Sequence, residues 1–259
     1  MAKKFTNYSC KDRIGFITLS RPEKRNALNN EFVKQLLLDF QNAITDSNCK
    51  VIVLDAEGSV FCGGADLQYL QDLQDNSFEE NISDSEQLMQ LFKTIYNSPK
   101  LVIANIQGHA IAGGCGLASV CDISIASENA KFGYPEVNIG FIPAIVSVFL
   151  LKKVGETIAK DLLLTGRKID AKQAQEIGLI TKAVQEKDLK QCVLDIATRA
   201  CNNNSTQSVL LTKELMHKVQ SMSVEEGLKQ AVIANANARK TDDFKKGIAS
   251  FLNNEKLTW

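Results

Sequence analysis

Three short, almost wholly apolar stretches constrain this chain most: Val51-Ile-Val-Leu54, Leu101-Val-Ile-Ala-Asn-Ile106 and Ile123-Ser-Ile-Ala126. A strand with one wet face alternates apolar and polar residues. One that stays apolar throughout is covered on both faces, as in a parallel sheet sandwiched by helices. Upstream, Ile14 to Ser20 reads as a further strand, ended by Arg21-Pro22. Phe32, Leu36, Phe40 and Ile44 then recur at helical spacing, with Val33 and Leu37 widening the stripe. Ser83-x-x-Glu86 has the form of a capping box ahead of Leu88, Leu91, Phe92 and Ile95, which predicts a helix starting there. A Gly-rich turn and a short apolar helix, Leu117 to Cys121, separate the strands at 101 and 123. Alternating strands and helices argue an α/β class.

From about residue 156 the pattern becomes helical. Asp170 can cap a helix that stops at Gly178, and Leu179 to Val184 can add a strand. Helices are expected near 187–201, 206–219, 224–239 and 242–252, with Ser223-x-x-Glu226 a second capping box. Neither a long Gly/Ser/Pro linker nor a fixed-period repeat divides the chain. Such a helical tail packs on the core or on a neighbouring subunit, and sequence does not choose between them.

Charge and cysteine usage exclude several classes. Thirty basic and thirty acidic residues cancel, so no global basic field invites nucleic acid, and no nucleic-acid partner is expected. The longest mostly apolar run, Pro143 to Leu151, has about half the length that crosses a bilayer, so no membrane partner is expected. Met1-Ala-Lys-Lys-Phe5 has no apolar segment behind its lysines, so no signal peptide is expected. The seven cysteines form no CxxC pair and no Cys/His cluster of zinc spacing. They read as reduced thiols of a cytoplasmic protein without a metal site.

Two segments put glycines where a backbone turns sharply from strand to helix: Phe61-Cys-Gly-Gly-Ala-Asp66 and Gly108-His-Ala-Ile-Ala-Gly-Gly-Cys-Gly116. Either alone can be merely a tight turn. A pair on adjacent strands can instead offer unpaired helix N-terminal N–H groups to an anion or a polarised carbonyl oxygen. Gly114-x-Gly116-x-x-Ser119 lacks the third glycine of a dinucleotide fingerprint, and no P-loop motif is present.

A third segment, Lys131 to Pro143, carries a single carboxylate, Glu136, in apolar and glycine-rich surroundings. It is either a solvated loop glutamate or a carboxyl whose pKa an apolar pocket raises for proton transfer. The other reactive side chains read as structural. Cys62 and Cys115 lack a His/Asp partner that would activate a thiolate, so both are expected to be small apolar fillers. His109 is expected to be a satisfied group at a buried strand end, with reach to the glycine turn as the alternative. Asp122 is expected to be a hydrogen-bonding structural carboxylate, and His217 to lie on a surface or interface.

Taken together, Ser20-Arg-Pro-Glu-Lys-Arg-Asn-Ala-Leu28, Phe61 to Asp66, Ile111 to Asp122, Phe132 to Pro143, and Leu164-Thr-Gly-Arg167 with Ala171 to Leu179 resemble the crotonase superfamily, the enoyl-CoA hydratases and isomerases. The resemblance covers nearly the whole chain. It implies a spiral core of ββα turns over residues 1–195 and a helical region over 196–259 that assembles homo-trimers or dimers of trimers. It also implies an acyl-CoA thioester substrate, with no cofactor beyond the coenzyme A of that substrate and no metal. The backbone N–H groups of Ala65 and Gly113 would form the oxyanion hole, and Glu136 would be the proton-transfer carboxylate. Substrate contacts would come from Lys24, Arg25, Ala27, Gly64, Asp66, Leu67, Gly114, Gly116, Pro135 and Phe141.

One departure matters. Hydratases of the family commonly carry two glutamates facing the substrate; the second matches Glu136, but position 116, where the first would fall, holds glycine. The glycine-rich stretch usual after Ile142-Pro143 is replaced by the bulkier Ala144-Ile-Val-Ser-Val-Phe149. A single carboxylate with an oxyanion hole suffices to shuttle a proton between two carbons, so double-bond isomerisation is slightly favoured. The alternatives are hydration of a 2-enoyl-CoA, for instance a branched one such as methylglutaconyl-CoA, and an inactive acyl-CoA-binding protein.

Overall fold

A computed structural model describes residues 4–259; the first three residues of the N-terminal stretch considered above lie outside them. The chain opens with a hairpin, β1 (Thr6–Lys11) and β2 (Ile14–Leu19), followed by α1 (Asn30–Thr45). Asn29 caps α1 by accepting from the Phe32 N–H, and the predicted stripe of Phe32, Leu36 and Phe40 is fully buried.

A strand-strand-helix unit then recurs. β3 (Val51–Ala56) and β4 (Val60–Cys62) lead into α2 (Leu67–Asp72) and α3 (Phe78–Tyr96). β5 (Leu101–Ile106) and β6 (His109–Ile111) lead into α4 (Gly113–Val120). β7 (Ile123–Ser127) and β8 (Lys131–Gly133) lead through a 3-10 turn, Pro135–Ile139, into α5 (Ala144–Thr165). The first strand of each unit joins one sheet and the second joins another. The six-stranded sheet runs β1-β2-β3-β5-β7-β10 and the four-stranded one β4-β6-β8-β9, where β9 is Lys168–Asp170 and β10 is Lys182–Val184. Apart from β1 with β2 and β8 with β9, all neighbours are parallel. This is the expected α/β spiral of ββα turns.

The uniform apolarity of the central strands has the expected cause. Ile52 and Leu54 face the main core with Phe40, Phe61 and Phe92, whereas Val51, Val53, Ile103 and Ile125 face α7 (Glu186–Asn203) through Leu189, Val193 and Ala197. A division at residue 195 therefore falls inside α7, a continuous helix whose far half still covers the sheet with Ala200 and Cys201. Between β9 and β10 lies α6 (Ala171–Glu176), capped by Asp170 as expected, and the chain ends in α8 (Thr206–Val219), α9 (Val224–Ala238) and α10 (Asp242–Leu252). Buried Lys213 of α8 ties this tail to the core through Asp122 at 2.6 Å, and Asp122 also accepts from the Val102 N–H at 2.8 Å. No helix among the described residues is long and apolar enough to cross a membrane.

Two helix starts differ from expectation. The working capping box is Ser77 with Glu80, and Ser83 lies inside α3. Both sites share the S-x-x-E pattern, but Phe78 is exposed, so the first turn carries no apolar stripe to announce it. α5 is interrupted at Gly155 (φ +76°, ψ 171°), so its second segment begins at the expected 156, whereas the segment from Ala144 is unexpected, because Ala144 to Leu151 is apolar but for Ser147 and gives no 3.6-residue contrast.

Candidate active site

The two glycine junctions meet. In the first, Leu28 pairs with the turn: its N–H donates to Gly64 O at 2.7 Å and its carbonyl accepts from the Asp66 N–H at 2.8 Å. These bonds pin the backbone on either side of Ala65 and leave the Ala65 N–H without a partner among the described residues. In the second, α4 starts at Gly113, whose N–H is one of the donors that a helix leaves open. A Cβ built on Gly64 would lie 2.7 Å from Ala112 Cβ and 3.5 Å from Gly113 N. Only a residue without a side chain lets the two turns approach this closely, and Gly64 also adopts φ +92°. Gly114 is required for the same reason, since a Cβ there would lie 2.7 Å from the Cys62 carbonyl carbon.

Glycines at 113, 114 and 116 also explain why α4 starts four residues earlier than predicted. They depress helix propensity, and packing overrides it. Ala112, just before the donor, takes φ 53° and ψ −125°, a strained geometry for a residue with a side chain. It is clamped by its N–H to Gly133 O at 2.8 Å and by Gly116 N–H to its own carbonyl at 3.0 Å.

Glu136 sits in the 3-10 turn and is 9% exposed. Its Oε2 is buried and has no hydrogen-bond partner among the described residues. Burial raises its pKa above the ordinary carboxyl range, against a smaller opposing effect of its own backbone N–H. Pro135 beside it is half-buried, and Phe141 is 51% exposed at the rim, with its N–H on Glu136 O at 3.0 Å.

Gly116 is enclosed. A side chain there would collide with Val146 Cγ1 and come within 2.6 Å of Phe92 Cε1. Phe149, also from the altered stretch, packs on Phe92 at 6.0 Å and on Tyr96 at 5.2 Å between ring centres.

The other candidate residues divide into two groups. Lys24, Arg25 and Leu67 are exposed, and Ala27 is half-buried with its carbonyl taken by Arg21 at 3.0 Å. Asp66 is committed: its Oδ2 pairs with Arg21 at 2.8 Å and its Oδ1 accepts from the Gln68 N–H, capping α2. Burial works to raise the Asp66 pKa, but Arg21 and Gln68 bring it below the usual carboxylate value. A substrate contact at Asp66 would therefore fall to its backbone. His109 is exposed rather than buried and accepts from the Lys131 N–H at 3.2 Å. Cys62 and Cys115 are fully buried, and desolvation pushes both thiols up to about 12, consistent with filler roles. His217 is half-buried and stacks on Tyr96 at 4.1 Å.

Sequence reasoning missed Arg21, Asn26 and Lys153. Arg21 is buried and holds the Asp66 turn. Asn26 donates to Glu57 O and Val60 O, fastening the loop behind it. The only sequence signal was that each is a polar residue within or beside an apolar segment. Among the described residues, no three His, Cys, Asp or Glu side chains are grouped to hold a metal.

Comparison with known proteins shows the family of the chain. The enoyl-CoA hydratase/isomerase family model matches residues 9–259. A Thermus thermophilus protein named as a candidate enoyl-CoA hydratase is 39% identical over 93% of this chain and 95% of its own length. The 2,3-dehydroadipyl-CoA hydratase of Escherichia coli is 30% identical over 94% of each chain. The crystal structure of human enoyl coenzyme A hydratase domain-containing protein 3 superimposes with a TM-score of 0.93 at 31% identity, over 99% of this chain and 100% of that one.

Proposed function

The chain belongs to the enoyl-CoA hydratase/isomerase family and is an acyl-CoA enzyme of that type, and from that premise we propose that it moves the double bond of an enoyl-CoA with Glu136 as its single proton-transfer carboxylate. The observation that carries the reading is the buried, unpartnered Oε2 of Glu136 with a raised pKa. A carboxyl whose pKa is raised by burial, with an oxygen left free of hydrogen bonds, is a stronger base than a solvated one and can take and return a proton. The Glu136 carboxylate removes a proton from the α-carbon of a β,γ-unsaturated thioester. The electron pair moves onto the carbonyl oxygen, where the open Ala65 and Gly113 N–H groups meet the charge. The same carboxyl returns the proton to the γ-carbon, leaving the double bond α,β. Proton count and oxidation state are unchanged, so the step calls for neither metal nor redox cofactor.

The packing of Val146 and Phe92 around Gly116 supports the one-carboxylate version, because the space a second acid needs is occupied. The names of the relatives favour the second reading, hydration of an α,β-unsaturated acyl-CoA, in which Glu136 alone activates the water.

Proton NMR in D2O with a short α,β-unsaturated acyl-CoA separates these readings. Deuterium gained at the γ-carbon without a hydroxyl product is expected. A 3-hydroxyacyl product with α-deuterium would establish hydration instead, and binding with no exchange would mean a site that has lost its chemistry.

Lys24 and Arg25 are proposed to meet the nucleotide phosphates, and Ala27, Gly64, Asp66, Leu67 and Gly114 to line the pantetheine path. Pro135 and Phe141 are proposed to border the acyl group. The helical tail is proposed to assemble a homo-trimer or a dimer of trimers. The apolar stripe of Val224, Leu228 and Val232 on α9, each more than 60% exposed, supports an association face. Sedimentation equilibrium tests it, and a monomer would refute it.

A further inference from the structure

α4 presents Gly113 at its first position and is buried from Gly114 to Val120, so solvent cannot satisfy its C-terminal carbonyls. A helix leaves its last carbonyls without intrahelical partners and with partial negative charge. Here the carbonyls of Ser119 and Cys121 accept from Lys153 Nζ at 2.9 and 3.2 Å. Among the described residues no carboxylate pairs with that ammonium; Asp122, which lies beside it, is engaged by Lys213. Lys153 follows Val146 by seven residues and so shares its face of α5. One face of α5 thus holds α4 at its middle and at its C-terminal end, Val146 against Gly116 and Lys153 on the terminal carbonyls. Placing an ammonium there carries a desolvation cost that an apolar side chain of similar length would avoid.

We propose that Lys153 is a positioning residue: by holding the C-terminal carbonyls of α4 it sets where the Gly113 N–H points, and so how strongly a bound thioester carbonyl is polarised. The proposal rests on the reading of Ala65 and Gly113 as oxyanion donors. Lys153 itself touches no reacting atom.

Polarisation can be read without turnover. Donors on the carbonyl oxygen of a conjugated thioester draw electron density toward it and move its absorption to longer wavelength. Bound 2,4-hexadienoyl-CoA in an E136Q background should show this red shift. Adding K153M should lose about half of it or more while CoA-ester affinity changes by less than about threefold. In the chain with Glu136 intact, K153M should lower kcat by about tenfold with little change in KM, and K153R should restore most of both signals. A folded K153M with the full red shift and an unchanged kcat overturns the proposal. Where K153M does not fold, K153Q is the second variant: its shorter, uncharged amide cannot hold both carbonyls as the ammonium does, so part of the red shift should be lost, and a full red shift with an unchanged kcat overturns the proposal. No red shift at all with Lys153 present is a different failure. It removes the oxyanion donors themselves, and the positioning role with them.

Discussion

Val146 occupies the space that any side chain at position 116 would need. A Cβ there would run into both the Val146 Cγ1 methyl and the Phe92 ring. Gly116→Ala should therefore overpack this contact and cost about 1–3 kcal/mol by urea denaturation. Val146→Ala in the same chain should recover part of that loss, so the double-mutant cycle should show coupling. Strict additivity would mean the two positions do not touch.

Glu136→Gln should abolish turnover while binding of a CoA ester survives. Near-full activity would remove Glu136 from the chemistry. The buried carboxyl has a raised pKa, so the folded state holds its proton more tightly than the unfolded chain does. Its ionisation therefore opposes folding, fully above the raised pKa and not at all below the ordinary carboxyl range. E136Q should accordingly be more stable than the parent at neutral pH, and the gain should vanish in acid. Urea midpoints across that range measure it. In the parent, kcat/KM should rise with pH as the base ionises, with its inflection above the ordinary glutamate value.

At the crossing of the two turns, Gly64→Ala introduces a methyl 2.7 Å from Ala112 Cβ at a positive φ. Moving Gly113 away should lower kcat by about a hundredfold, approaching the loss of an oxyanion donor. Steady-state kinetics on the folded variant would show it; an unchanged kcat would mean that the turns need not approach this closely.

Removal of Lys213 leaves Asp122 with a single partner, the Val102 N–H. Lys213→Met should cost about 2 kcal/mol and loosen the tail. Limited proteolysis should then cut between α7 and α8 sooner than in the parent. Equal cutting rates would show that the tail is held by other contacts.

Thiol reactivity should follow burial. Iodoacetamide at mildly alkaline pH should label half-exposed Cys10 and Cys192 well before buried Cys62 and Cys115, whose pKa values lie near 12. Mass spectrometry of peptides at early times gives the order. Early labelling of Cys115 would mean that the α4 region opens.

The elements most legible in the sequence were those with strong contrast. β3, β5 and β7 announced themselves as unbroken apolar runs, and α8 and α10 matched the predicted 206–219 and 242–252. Short strands escaped: β4, β6 and β8 have three residues each, too few for a period, and they overlap the glycine motifs that drew attention for other reasons. At the site, the turn glycines and Glu136 were visible because each is unusual for its surroundings. The grip of α5 on α4 was not, since Val146 and Lys153 lie 30 or more positions from the residues they touch and nothing local marks them. The commitment of Asp66 to Arg21 was hidden for the same reason, across 45 positions.

Ala112 carries a consequence for how activity reports on the molecule. Its positive φ is unfavourable in isolation and is tolerated only with β8 in register to accept its N–H and α4 wound far enough to receive its carbonyl. The Gly113 donor is aimed only when both conditions hold. A chain that has collapsed without completing either one possesses the pocket's walls but not its polarity. Turnover should thus fall away ahead of secondary structure as the protein is heated, a more exacting gauge of an intact fold than helix content.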